Sequence, residues 1–259
     1  MWALAFAIFA GLKWLTWWRV RTRFTHPGWR LLAYLLAWPG MDAESFLDGR
    51  EHVGAPARRA WIWAMSKTVL GAIILWGAAR TVSEGKLLLQ GWVGMFGLIL
   101  LLHFGSFEIV ALFWQTLGVN ARPIMNRPLR ADSLTEFWGQ RWNLGFRQLS
   151  HDLIFKPVAR GLGPGIASLF AFVASGLIHD LMISVPARGG YGLPTAYFVF
   201  QGLGVTIERS SCGKRLGIQQ GLRGWLVMAA FTAGPVYWLF HPPFVVRVII
   251  PFMQAIHAL

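Results

Sequence analysis

The sequence predicts an all-α, polytopic integral membrane protein, with about 7–8 transmembrane helices and one long amphipathic cytoplasmic segment. Three observations predict it. Of 259 residues, 55% are hydrophobic and only 14% charged, against roughly 45–50% and about 25% in soluble domains; the mean hydropathy is +0.49. Apolar runs near 20 residues long, enough to cross a hydrocarbon core about 30 Å thick, recur along the chain. Fifteen tryptophans, many beside arginine or at run ends (Trp17, Trp18, Trp29, Trp38, Trp61, Trp63), fit the aromatic belts of membrane interfaces. The spans are expected to be helical because lipid offers no partner to an unpaired backbone group. Disorder is excluded by the hydrophobicity, and a disulfide scaffold by the single cysteine, Cys212. A net charge of +13 would suggest nucleic acid in a soluble chain. Here loop topology and anionic headgroups account for it, so the expected partner is a lipid bilayer and no nucleic acid.

The first expected span is Met1–Trp18, with Lys13 snorkelling to the interface. No basic n-region precedes it, so it does not read as a secretory signal. Arg19, Arg21, Arg23 and Arg30 follow, which places residues 19–30 in the cytoplasm by the positive-inside rule. Residues 29–39 are apolar but short, an interfacial or re-entrant piece. Residues 40–59 are a polar loop carrying Asp42, Glu44, Asp48 and Glu51 with Arg50, Arg58 and Arg59. Spans are expected at 60–79 and 87–104, and 105–118, where Glu108 is the only charge, continues as a further helix. Residues 119–160 are polar but hold Phe137, Trp138, Trp142, Phe146 and Phe155, among other apolar side chains. Left in water these would cost about 25 cal/mol per Å². The segment is therefore expected to fold back as short amphipathic helices on the cytoplasmic side. Spans resume at 163–184, 191–207 and 223–240, with a last apolar run over 242–259. Gly161 and Gly165 flank Pro164, which favours a tightly packed turn over a dimer motif.

Ionisable residues within a span are candidates for function because burying them is costly. His179 stands out. It lies near the end of the 163–184 run with Ser175 one turn earlier and Asp180 next. Its unperturbed pKa, about 6.5, suits a general base. A packed imidazole bonded to a carbonyl or to Ser175 is the competing reading. His103 and Glu108 read as packing residues, and His26, His52, His241 and His257 as interfacial. His151 with Asp152 reads as a supporting or solvated pair, and Cys212 as an inert loop thiol. No metal-binding pattern, phosphate-cradling loop or intramembrane serine nucleophile occurs.

The run Pro128-Leu129-Arg130-Ala131-Asp132-Ser133-Leu134-Thr135-Glu136-Phe137-Trp138-Gly139-Gln140-Arg141-Trp142-Asn143-Leu144 closely resembles the "P-L…S-L-x-x-F-W-G-R-R-W-N" signature of the wax synthase-like branch of the membrane-bound O-acyltransferase (MBOAT) superfamily. Ser175-Gly176-Leu177-Ile178-His179-Asp180 is similar to that family's "S-G-L-x-H-E" helix. The resemblance spans roughly residues 100–210. Gln140 stands where Arg is usual, and Asp180 where Glu is usual. The resemblance implies one membrane-embedded acyltransferase domain over 1–259, with an MBOAT-like fold. Its implied activity is transfer of an acyl group from acyl-CoA, a co-substrate with no further cofactor, to a lipophilic alcohol. It implies His179 and Asn143 as catalytic residues. Trp138, Gln140, Arg141, Trp142, Arg147, Ser175 and Asp180 are expected to bind substrate or CoA, with Arg122 and Arg127 as further candidates for the CoA anion. Short-acyl transfer to a terpenoid, glycan or other alcohol is the alternative within this chemistry. A transporter with a proton-relaying His179 is the alternative outside it. The expected location is a bacterial cytoplasmic membrane rather than the endoplasmic reticulum.

Overall fold

A computed structural model describes residues 2–23, 27–50 and 53–259. Met1, His26, Glu51 and His52 therefore lie outside the described residues. Every regular element among those described is a helix. The chain divides into two compact units, one of Met1–Met125 with Met253–Leu259, the other Asn126–Phe252.

In the first unit, helix Trp2–Val20 packs with Gly28–Ala37 and the short helix Ala43–Leu47. Their shared core contains Tyr34, Trp38, Phe46, Leu47 and Trp114. Lys13 does not snorkel. It is 1% exposed, donates to the Gly40 carbonyl and sits 3.5 Å from the Tyr34 ring centroid, so carbonyl and aromatic face replace water. Arg30 is also buried, donating to the Gly118 carbonyl at 3.4 Å, and is not a headgroup cation. Trp38 stacks on Phe46 within the core rather than anchoring at an interface. Trp18, Trp29 and Trp63 are exposed, as interfacial anchors require. Within the same unit, Arg58–Thr81 and Leu87–Thr116 approach closely through glycines. A Cβ on Gly97 would stand 2.8 Å from the Leu75 backbone nitrogen. Lys67 and Glu108 form an ion pair between these helices, the pairing that makes an intramembrane charge tolerable.

Among the described residues three helices are long and apolar enough to cross a membrane: Arg58–Thr81, Leu87–Thr116 and Leu144–Ala187. A fourth is added if Gly221–Leu239 and Pro242–Ala255, bent by 59°, form one span. The seven or eight segments of the sequence reading do not emerge as separate spans. The 87–104 and 105–118 runs fuse into Leu87–Thr116, with a π-helical stretch Leu100–Ser106 at their join. The last two runs are the arms of the bent pair. Leu193–Arg209, with 17 residues, is too short for the same measure, and the tryptophan-rich Trp2–Val20 is not apolar enough for it. Ile62, Val69, Ile73, Phe96, Leu177 and Val185 are exposed on the three long helices. Apolar surface on that scale needs lipid, and the protein is an integral membrane protein.

In the second unit, Leu144–Ala187 would extend about 66 Å if straight, twice a bilayer core. It is not straight. Gly163 adopts φ 82, ψ 165, open to glycine alone at little cost, and Pro164 begins the next helical stretch with its φ preset. The break leaves 164–187 as a stretch of about 36 Å, close to the span expected from sequence. The expected close packing at Gly161 and Gly165 is absent, since a Cβ at either would meet nothing within 4 Å. Downstream, Gly192 caps Leu193–Arg209 from φ 82. That helix makes the most extensive contacts with Lys156–Ala187 of any element pair.

Candidate active site

The stretch resembling the family signature is compact. Ser133 caps the turn Leu134–Glu136, its Oγ accepting the Glu136 N–H at 3.0 Å. Glu136 Oε2 accepts the Asp132 N–H at 2.8 Å, and Oε1 is held by Arg141 through Nε at 2.8 Å and Nη2 at 2.5 Å. The Asp132 amide first, then Arg141, holds the Glu136 carboxyl below the usual carboxylate range. Glu208, 2% exposed, reaches across from helix Leu193–Arg209 and accepts the amides of Leu134 at 2.6 Å and Thr135 at 3.1 Å. Trp142 stacks on Phe137 at 5.4 Å, and Trp138 packs against Phe172 and Phe198 while its Nε1 donates to Gln201.

Asn143 opens helix Leu144–Ser150 from the left-handed region, φ 42 and ψ 58, and its Oδ1 accepts the Phe146 N–H at 3.4 Å. Asparagine is among the few residues that visit this region readily. His179 lies in the stretch after the break. Its Nδ1 is 2.7 Å from the Ser175 carbonyl oxygen. A carbonyl only accepts, so Nδ1 carries the hydrogen and Nε2 keeps the lone pair. The ring rests on Phe198, centroids 4.4 Å apart.

These elements enclose a cavity of about 320 Å³ in the second unit. It brings together six of the nine site residues expected from sequence: His179, Asn143, Trp138, Trp142, Arg147 and Ser175. Three do not line it. Gln140 is exposed, its carbonyl accepting Asn126 Nδ2 at 3.4 Å. Arg141 is engaged by Glu136 and by the carbonyls of Asn126 and Arg127. Asp180 accepts from Ser184 Oγ at 2.7 Å, the Gly192 amide at 2.9 Å and the Thr195 amide and hydroxyl, tying the end of the histidine helix to the start of the next. His241, expected at an interface, is fully buried; it contacts Ser184 Oγ at 3.2 Å through Nε2 and accepts the Phe244 N–H at Nδ1.

Sequence reasoning missed several residues of the site. Arg209 lines the cavity and donates to Thr135 Oγ1 at 3.2 Å, so with Arg147 it is a cation at the cavity. His151, read from the sequence as half of a supporting or solvated pair with Asp152, lines it as well. Glu208 and Gln201 support its wall, and their one sequence signal was polarity within an otherwise apolar run. No cluster of three or more metal-ligating side chains occurs among the described residues.

A bent helix carrying a histidine whose Nε2 keeps its lone pair, with an aromatic turn and an asparagine cap, defines the cavity of the second unit. Residues 121–200 match the model of the "Membrane bound O-acyl transferase family", which bears out the MBOAT resemblance of this segment. The "Long-chain-alcohol O-fatty-acyltransferase" of Simmondsia chinensis is 30% identical over 143 residues, 50% of this chain and 40% of that protein. The "Probable long-chain-alcohol O-fatty-acyltransferase 6" of Arabidopsis thaliana is 27% identical over 197 residues, 70% of this chain and 56% of that protein. The "Acyl-CoA--sterol O-acyltransferase 1" of the same plant is 28% identical over 133 residues, 47% and 38% of the two chains. Two of these relatives are named for acyl transfer to long-chain alcohols and the third for acyl transfer to a sterol. The matched stretches span about two fifths to somewhat over half of the relatives' own lengths.

Proposed function

We propose that the protein is an O-acyltransferase that moves an acyl group from acyl-CoA to the hydroxyl of a lipophilic alcohol, as a wax ester synthase does. The observation that carries this reading is the placement of His179, with Nδ1 bonded to a carbonyl, on the same cavity as Asn143 of the matched segment. In the proposed reaction His179 Nε2 takes the hydroxyl proton as the alcohol oxygen attacks the thioester carbonyl. The C–S bond breaks on collapse, and the thiolate of CoA receives the proton from His179. Asn143 donates from its carboxamide nitrogen to the oxygen that gathers negative charge. Arg147 and Arg209 meet the anionic head group of the donor. Asp180 and Arg141 serve by holding helices and turn in place. The names of the relatives support the donor and acceptor classes, and the sterol-acylating relative supports sterol as a second acceptor. Trp2–Val20 and Leu193–Arg209 reach about 28 and 25 Å by helical rise, and we count them as further crossings. The membrane is read as a bacterial cytoplasmic one, on which plant relatives carry no weight.

The test is lipid analysis of cells expressing the protein, with fatty alcohol, diacylglycerol and sterol offered together. Ester of the fatty alcohol is expected to accumulate. His179→Ala is expected to lose most of it, on the 10²–10⁴-fold scale of general-base catalysis. His179→Gln retains hydrogen bonding but accepts no proton at neutral pH. Esterification by His179→Gln near the parent rate would overturn the mechanism.

A further inference from the structure

The wall that the histidine helix gives to the cavity is uneven in size. Ser168, Ala171, Ser175 and His179, spaced by three, four and four residues, share one helical face and all line it. Aromatic rings complete the lining, Phe146, Phe155 and Phe198 from other stretches and Phe172 beside Ala171 on the histidine helix. The break at Gly163 precedes this face, so the four residues stand on one uninterrupted helical stretch. By helical rise, Ser175, Ala171 and Ser168 lie roughly 6, 12 and 16 Å from His179 along the axis. Small side chains thus line the cavity along this face, and the proton-accepting group stands at one end of the row.

We infer that this face is a length gauge: the side chain at position 171, and beyond it at 168, sets how many methylenes of an alkyl chain fit past His179. The inference rests on the acyl-transfer reading above and adds the determinant of chain length to it. The chain belongs either to the acyl donor or to the alcohol, and the experiment separates the two.

Membranes bearing the parent, Ala171→Phe, Ala171→Val and Ser168→Leu are assayed in two series. One varies the donor from octanoyl- through dodecanoyl- to palmitoyl-CoA with hexadecanol fixed. The other varies the alcohol from octanol to hexadecanol with the donor fixed. Ala171→Phe is expected to lower the long-to-short ratio of kcat/KM by about tenfold or more in one series, the scale on which an apolar pocket discriminates methylenes. Ser168→Leu is expected to act on the longest substrate only, and Ala171→Val to fall between the parent and Ala171→Phe. The series that shifts identifies the chain seated in the cavity. Should Ala171→Phe fail to accumulate, Ala171→Val and Ser168→Leu carry the comparison. Parental length profiles in both series, or a shorter cut-off for Ser168→Leu than for the position 171 variants, would overturn the gauge. A parent that forms no ester with any pair overturns the acyl-transfer reading instead.

Discussion

Asn143 carries two demands on one side chain. Its backbone occupies the left-handed region, where an ordinary L-residue costs roughly 1–2 kcal/mol. Its Oδ1 caps the following helix, a bond whose loss to alanine costs typically about 1 kcal/mol. An alanine at this position therefore confounds fold with chemistry. Aspartate separates them, because it tolerates the same backbone region and keeps a capping oxygen while losing the amide donor. Asn143→Asp is expected to reach parental abundance in the membrane while its turnover falls about 10²–10³-fold, the usual result of deleting an oxyanion donor. Turnover at the parent rate would reduce Asn143 to a helix cap. The importance of this residue was legible in the signature it belongs to, but its capping role was not, since nothing in Trp142-Asn143-Leu144 announces a left-handed turn.

At the scale of elements, the turn that carries Trp138 and Trp142 is held at two points. Glu208 accepts two of its first amides from 74 and 73 residues away, and Glu136 clamps Arg141 within the turn. Separation in sequence explains why the first was missed and the second appeared only as two charges of opposite sign. Arg141 looked like a cation for CoA because charge is visible in a sequence and its partner is not. The same limit applies to the spans. Hydropathy located the apolar stretches closely, but it cannot tell a turn between two helices from a bend within one, so joined runs were counted separately. The Glu136 clamp also has a pH signature. A carboxyl whose folded pKa lies below its unfolded value, about 4.3, adds stability above that unfolded value and loses it as pH falls through the folded one. The difference in thermal inactivation midpoint between parent and Glu136→Gln is expected to be constant above about pH 5 and to close only at more acidic pH. A difference that closes between pH 6 and 5, roughly, would mean that Glu136 is not held low.

For the whole molecule, the side of the membrane that the cavity faces can be read from a reporter in the second unit itself. Cys212 is exposed, three residues beyond Arg209, which lines the cavity. Arg209, Lys214 and Arg215 flank it in the chain, Arg127 and Arg130 precede the turn that Arg209 bonds through Thr135, and Arg147 follows on helix Leu144–Ser150. Basic residues concentrated next to span ends mark the cytoplasmic side, which is also where a polyanionic thioester donor is supplied. In intact cells a membrane-impermeant maleimide is therefore expected to leave Cys212 unmodified and to label it once the membrane is opened. A second site removes dependence on one thiol. Leu129 is 79% exposed while its carbonyl is anchored by Trp225 Nε1 at 2.9 Å, so Leu129→Cys in a Cys212→Ser background presents a thiol from a fixed turn. Labelling of both positions from the outer face of intact cells would put the cavity on the wrong side for acyl-CoA, and the donor assigned to Arg147 and Arg209 would fall with it.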